Sequence, residues 1–130
     1  MSTYKNAPGW DSERLEALAQ EIYQFLLSHD MWIDTAIYYD GKCMKTDGTE
    51  NGQHSYRYNG KPFYDDEADP KRFFEYVADP HILSMSFEGP LYDVLNYGDG
   101  ETEAAFQKIF DKHGIYYEMG HMWNLTCYEG

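Results

Sequence analysis

The residues of this chain that could do chemistry are few, and Glu88 is the most suggestive of them. It follows an alternating strand pattern and precedes a helix start, where catalytic carboxylates are often found. General acid–base catalysis needs a second titratable group within hydrogen-bond reach, and His81 or His121 would have to supply it. Nothing in the sequence spacing requires Glu88 to lie close to either histidine. A small enzyme or ligand-binding domain with a cleft at Glu88 is therefore the alternative function, and the sequence favours a protein that is not an enzyme.

The cysteines match no known catalytic or metal-binding spacing. His121 and Cys127 could be two zinc ligands, or Cys127 could act as a nucleophile beside a distant histidine. A cysteine in a strand is more often a small buried hydrophobe. The nucleotide-binding, serine-hydrolase and zinc-protease motifs are missing. We therefore expect neither a catalytic residue nor a cofactor.

Two oxygen-rich segments imitate calcium loops. Residues 47–52 have the spacing that opens an EF-hand loop, but the twelfth position is Tyr58 where a bidentate glutamate is required. Residues 65–69 hold four carboxylates that could surround a hard cation, yet such a run also suits the positive end of a following helix. We interpret both segments as turns and predict no metal site.

The charge of the chain is the strongest clue to its partners. The formal net charge is −13, from 23 acidic and 10 basic residues. Such a surface repels nucleic acids and anionic membranes and attracts basic proteins. Residues 73–107 contain no Lys or Arg. We predict an acidic binding face made of Asp65, Asp66, Glu67, Asp69, Glu88, Asp93, Asp99, Glu101 and Glu103.

These features predict a non-enzymatic acidic module that docks a basic partner, as an inhibitor or nucleic-acid mimic does. In size, acidity and aromatic content the chain resembles the small accessory proteins of phages, plasmids and toxin–immunity systems. Because carboxylates can stand in for phosphates, we expect the partner to be a nucleic-acid-binding protein such as a nuclease, a restriction or CRISPR effector, or a toxin. An exposed sheet edge or aromatic patch would also allow a homo-oligomer. The alternative to all of these is that the acidity serves solubility alone.

The cellular compartment is predicted from the cysteines and the N-terminus. Two cysteines without a CxxC spacing do not make a disulfide framework. The first residues lack the apolar core of a signal peptide, and no run of about 18 apolar residues occurs. We expect a cytoplasmic protein with reduced thiols.

The first half of the chain predicts a helix followed by a strand meander. After a loose arm at residues 1–9, Asp11 caps a helix whose apolar stripe runs to Leu26 and which ends near His29. A strand follows at residues 32–39, and Asp40-Gly41 turns it back along residues 42–45. Residues 46–54 read as a polar loop or wide hairpin tip. Asn59-Gly60 predicts a second hairpin between residues 55–58 and 61–64.

The second half predicts shorter helices between strands. Asp69 and Pro70 start a helix that carries Phe73, Phe74 and Val77. A strand at residues 83–87 leads to a helix that begins at Pro90 and ends at Gly98 as a left-handed cap.

Asp99 or Thr102 caps a further helix, which ends at residues 113–114, and two last strands meet around Gly120. The whole is a single α+β domain. Its mainly antiparallel sheet has about five to six strands, packed by an N-terminal helix and two or three shorter helices.

Overall fold

A six-stranded antiparallel sheet forms the centre of the molecule in the computed structural model, which describes residues 6–98 and 100–130. The predicted α+β class is confirmed. The helices are α1 (Ser12–Ser28), α2 (Pro90–Tyr97) and α3 (Gly100–Lys112). The strands are β1 (Thr35–Tyr39), β2 (Lys42–Lys45), β3 (Asp47–Glu50), β4 (Gln53–Tyr56), β5 (Phe63–Asp65), β6 (Leu83–Phe87), β7 (Ile115–Met119) and β8 (Asn124–Glu129). The main sheet has the order β5-β2-β1-β6-β8-β7, and β3 pairs with β4 separately.

Helix α1 begins and ends where its capping residues predict. Asp11 Oδ1 accepts a 2.9 Å hydrogen bond from the backbone N–H of Arg14, and His29 forms the C-cap. Residues 1–5 of the predicted arm lie outside the described residues. Asn6 and Ala7 contact the domain, since Asn6 Nδ2 donates to Asp40 Oδ1 at 2.9 Å and Ala7 is buried in the core.

Two tight hairpins follow α1. Asp40 and Gly41 have φ values of 54° and 73°, as a type I′ turn requires, and they join β1 to β2 as predicted. Asn51 and Gly52 have φ values of 52° and 77° and join β3 to β4. The segment predicted as a polar loop or wide tip is therefore a second two-residue hairpin.

The hairpin predicted at Asn59-Gly60 is wrong, because β4 pairs with β3 and β5 pairs with β2. Asn59 does adopt a positive φ of 53°. Its backbone N–H donates to Trp32 O at 2.8 Å, and its Oδ1 accepts from Trp32 N at 3.1 Å. Asn59 therefore fastens the segment after β4 to the segment before β1, and long-range hydrogen bonds take the place of the local hairpin.

The hydrophobic core lies between the helices and one face of the sheet. Leu83, Met85 and Phe87 of β6 are fully buried there, at 0% exposure, and α3 adds Phe106 and Phe110. On the other face of β6, Ser84 Oγ lies 2.9 Å from Thr126 Oγ1 of β8. The alternation predicted for residues 83–87 is confirmed, although both faces of β6 are largely covered.

Residues 66–82 cross the second face of the sheet with only a short 3₁₀ turn at Pro70–Arg72. The helix predicted through Phe73, Phe74 and Val77 is wrong. Phe74 turns inward against Tyr38, with ring centroids 5.0 Å apart, while Tyr76 has a φ of 63° that a helix cannot contain. A helix of this length has little stability by itself, so packing on the sheet determines the conformation of this segment.

The ends of α2 and α3 differ from the predictions in two details. Gly98 has a φ of −79°, so it is not a left-handed cap. A Cβ at Gly98 would lie 2.6 Å from Val94 Cα, so close packing explains the glycine. Thr102 lies inside α3, and Asp99 lies outside the described residues. Gly114, with a φ of 70°, follows the end of α3 as predicted.

Candidate binding surface

The sheet register divides the predicted acidic face into separate groups. Asp65 of β5 lies opposite Cys43 of β2, which lies opposite Tyr38 of β1, which lies opposite Ser84 of β6. Glu88 is four residues further along the chain from Ser84. Strand spacing and rise then place Asp65 and Glu88 about 20 Å apart, at opposite ends of the sheet. The carboxylates of residues 65–69 and Glu88 therefore do not form one continuous patch.

The first group, residues 65–69, lies beside the β1–β2 turn. The backbone N–H of Ala68 donates to Gly41 O at 2.8 Å, which holds the segment there. Asp65 Oδ1 accepts from Glu67 N at 3.2 Å, and Asp69 Oδ1 accepts from Lys71 N at 3.0 Å. Asp65 and Asp69 thus shape the turn, while Asp66 and Glu67 point their charges into solvent.

The second group lies on the α2 and α3 side. Glu88 is exposed, and its backbone N–H donates to Asp34 O at 3.0 Å. Asp93 is exposed in the first turn of α2, and Glu101 and Glu103 occupy the first turn of α3. Asp99 lies outside the described residues.

Asp34 is a carboxylate that the sequence interpretation missed, and it lies beside Glu88. Its Oδ1 accepts a 2.7 Å hydrogen bond from the Tyr58 hydroxyl. That hydrogen bond, together with partial desolvation, raises the pKa of Tyr58 to about 12. Residues 30–34 give no sequence signal for this contact, because Tyr58 lies 24 positions further along the chain.

The eight described carboxylates of the predicted face are free of ion pairs with other described residues. Four of the basic side chains pair with acidic residues outside the predicted set. These pairs are Lys42–Glu16, Arg57–Glu50, Lys71–Asp79 and Lys112–Glu21. Asp79 also lies near the ring of His81, at 3.1 Å between Oδ1 and Nδ1. The ion pairs among the described residues therefore lie outside the predicted face.

Glu88 and the two candidate histidines are placed separately. His81 is only 3% exposed, precedes β6 and contacts Asp79, whereas Glu88 follows the other end of β6. The His121 ring stacks on Trp123 with centroids 5.3 Å apart, and its Nε2 lies 3.8 Å from Glu75 Oε2. The acid–base pair considered for the alternative function is thus not assembled at Glu88.

Within the described residues, no group of three or more His, Cys, Asp or Glu side chains could hold a metal.

The two cysteines are buried and free. Burial raises the pKa of Cys43 to about 12, and burial raises the pKa of Cys127 further still. Both thiols therefore stay protonated at neutral pH, which does not suit a nucleophile or a zinc ligand.

Aromatic side chains form a cluster on the second sheet face that the sequence interpretation did not assemble. The ring of Phe74 contacts Tyr38 and Trp123, and the stacked His121 contacts Tyr76 at 5.4 Å. Tyr76 is 69% exposed. Only the high aromatic content, 18% of the chain, hinted at such a cluster.

Comparisons with protein-family models, with curated proteins and with solved structures found no match to this chain. None of the helices in the described part has the length and apolar character needed to cross a membrane.

Proposed function

We propose that this protein is a non-enzymatic binding module whose carboxylates dock a basic protein partner. The observation that carries the proposal is that the eight described carboxylates of the predicted face form no ion pair with any other described residue. A carboxylate that served the fold alone would gain from a nearby Lys or Arg, whereas the four described Lys and Arg side chains that form ion pairs bind other carboxylates. The free charges are thus available to a partner.

Fast, salt-sensitive association is the physical consequence of such a surface. Unpaired carboxylates steer a basic protein toward the surface before any contact forms, and added salt screens that attraction. Carboxylates also occupy the place that phosphates would take in a nucleic acid. The partner class that fits best is therefore a nucleic-acid-binding protein, on which this module acts as an inhibitor or mimic. The two free cysteines support action in the cytoplasm, where thiols remain reduced.

The test is affinity purification of partners from the native host with tagged protein, followed by binding measurements on the partner that is recovered. Amide substitutions keep the shape and the acceptor oxygens of the carboxylates but remove their charge. One variant carries D65N, D66N and E67Q, and a second carries E88Q, D93N and E101Q. We expect at least one of them to weaken binding more than tenfold at low salt.

The matched control carries E13Q, D30N and E129Q, which change the net charge equally at exposed positions outside the predicted face. This control should lose affinity only slightly. An equal loss of affinity in all three variants would mean that the net charge alone explains the effect. If no basic partner is recovered at low salt, the proposal is overturned.

A further inference from the structure

Strand β7 leaves an open edge at one end of the main sheet. Gly130 N donates to Gly114 O at 3.0 Å, and Gly120 N donates to Asn124 O at 3.2 Å, which fixes the alternation of hydrogen bonds along β7. In an antiparallel pair every second residue bonds to the neighbouring strand. Tyr116 and Glu118 therefore bond to β8, and Ile115, Tyr117 and Met119 direct their backbone groups outward.

These outward groups have no hydrogen-bond partner among the described residues. Natural edges are usually protected by Lys, Pro, a bulge or a covering segment. Strand β7 contains neither Lys nor Pro, and it pairs with β8 without a bulge. The other edge, β5, is only three residues long and contacts the β3–β4 hairpin through Gly48 and Phe63. The longer edge is β7, on which Met119 is exposed, Tyr117 half-buried and Ile115 buried.

Carboxylates flank this edge on the helix side. Tyr117 contacts Phe106 and Phe110 of α3, with ring centroids 5.8 Å and 5.2 Å away. Phe106 lies three residues after Glu103 and Phe110 lies directly before Asp111, so both carboxylates belong to the turns of α3 that pack on Tyr117.

Of the two lysines of α3, Lys112 is directed away from these carboxylates, whereas Lys108 is three residues before Asp111 and lies beside it on the helix surface. Glu103, Gln107 and Asp111 share one side of the helix. Lys112 lies on the opposite side, where it pairs with Glu21 of α1. Since α1 packs inward over β1, the acidic side of α3 faces outward over the β7 edge.

The other side of the edge is also acidic. Glu118 is exposed on the second face of the sheet, next to Tyr116, which is 43% exposed and contacts Tyr128. Along the axis of α3, Glu103 and Asp111 are about 12 Å apart. Residues four apart in a strand are separated by about 13 Å, so an added strand could meet both carboxylates.

We infer that the β7 edge binds an extended, basic segment of the partner by strand addition, with Lys or Arg side chains directed to Glu103, Asp111 and Glu118. This inference rests on the proposed function, because the partner must be basic. Main-chain hydrogen bonds to the outward groups supply affinity, and the flanking carboxylates select positive side chains. A second copy of this chain fits poorly, because each copy carries a net charge of −13 and would bring its own carboxylates to the same edge.

The test uses the blocked peptide Thr-Lys-Thr-Val-Lys-Lys-Thr and the intact protein, with amide hydrogen exchange followed by NMR. The amides of Ile115, Tyr117 and Met119 should exchange quickly in the free protein and become protected with peptide. A control peptide with Pro in place of Val has the same charge but cannot extend the sheet, and it should give no protection. Binding of both peptides without protection of these amides would overturn strand addition and leave the proposed function standing.

Substitutions at Met119 test the backbone hydrogen bond, and substitutions at Glu103 and Asp111 test the charges. Met119→Pro removes one outward N–H without touching the β8 ladder, and we expect about a tenfold loss of affinity, as for one lost hydrogen bond. Met119→Ala keeps the N–H and should bind normally. The double variant E103Q/D111N should weaken binding about fivefold, and the control E13Q/D30N much less.

The other possible results of these experiments also test the inference. Equal binding by Met119→Pro and Met119→Ala, or no binding of the first peptide at low salt, would refute the inference. The partner-capture experiment would still test the proposed function independently. Concentration-dependent dimerisation with the same amides protected would assign the edge to a second copy instead.

Discussion

Nε2 of His113, at the end of α3, lies 2.8 Å from Oε1 of Glu21 in the middle of α1. Lys112 Nζ contacts the other oxygen of the same carboxylate. Glu21 thus joins the two longest helices through two basic residues that are adjacent in the chain. Burial alone would raise the pKa of Glu21, but the hydrogen bonds from His113 and Lys112 outweigh it and hold that pKa below its ordinary value.

A lowered pKa makes this contact dependent on pH. The folded state is favoured while Glu21 is ionised, so its contribution is complete above the ordinary pKa of 4.5 and is lost as the pH falls through the lower folded value. We expect Glu21→Gln to reduce the free energy of unfolding by about 1 kcal/mol at pH 7. Urea unfolding from pH 7 down to about pH 3 should show this difference shrinking in acid.

The control for this prediction is Glu118→Gln, at an exposed carboxylate outside any described ion pair. It should change stability little and without the same pH dependence. A Glu21→Gln deficit that stayed constant into acid would mean that packing, and not charge, accounts for the contact.

Asn59 offers a test of the long-range contact that replaced a local hairpin. Asn59→Gly keeps the positive φ available but removes the 3.1 Å hydrogen bond to Trp32 N. Trp32 is fully buried, so its N–H would lose a partner near the core. We expect a loss of about 1–2 kcal/mol in the free energy of unfolding, measured by chemical denaturation.

Asn51→Gly is the matched substitution, because Asn51 has a nearly identical φ of 52° but lies in the exposed β3–β4 turn. It should change stability by less than about 0.5 kcal/mol. Similar losses at both positions would show that the turn conformation alone matters at Asn59.

The elements that the sequence predicted correctly are those with strong local signals. Asp11 caps α1 through a contact three residues away, and the Asp40-Gly41 turn joins strands that follow each other directly. The errors occur where distant residues compete with local preference. Asn59-Gly60 has the same hairpin chemistry as Asp40-Gly41, yet bonds to Trp32 determine its conformation.

The acidic excess of the candidate surface could be predicted from the sequence, but the arrangement of its carboxylates could not. The composition implies that many carboxylates are unpaired, because 23 acidic residues face only 10 basic ones. The separation of residues 65–69 from Glu88 depends on the pairing of β1 with β6. That pairing places Tyr38 opposite Ser84, which is 46 positions further along the chain (84 − 38). No periodicity within either strand specifies that register. The open β7 edge likewise follows from strand order alone.

Phe73 and Phe74 are predicted to differ sharply in their contribution to stability. Phe74 is 7% exposed and contacts Tyr38 and Trp123, whereas Phe73 is 54% exposed. We expect Phe74→Ala to cost about 3 kcal/mol, because its ring anchors residues 66–82 to the sheet. Phe73→Ala should cost less than about 1 kcal/mol. Denaturant unfolding of both variants measures the difference, and equal losses would contradict the observed packing.

Gly89 is predicted to be intolerant of any side chain. It precedes α2, and a Cβ built on it would lie 2.4 Å from the carbonyl oxygen of Ile33. That oxygen belongs to the backbone and cannot turn away, so Gly89→Ala must displace the residue 33–34 segment or the start of α2. We expect a loss of about 3 kcal/mol in the free energy of unfolding. The shift should also disturb the 3.0 Å bond from Glu88 N to Asp34 O, visible in the NMR signals of both residues.

Gly100→Ala is the control for Gly89→Ala, because a Cβ at Gly100 meets no atom within 4 Å and alanine favours the helix that begins there. It should leave stability unchanged or raise it by up to about 1 kcal/mol. Should Gly89→Ala unfold at the same denaturant concentration as wild type, the close approach of Gly89 to Ile33 would be refuted. The positioning of Glu88 beside Asp34 would then need another cause.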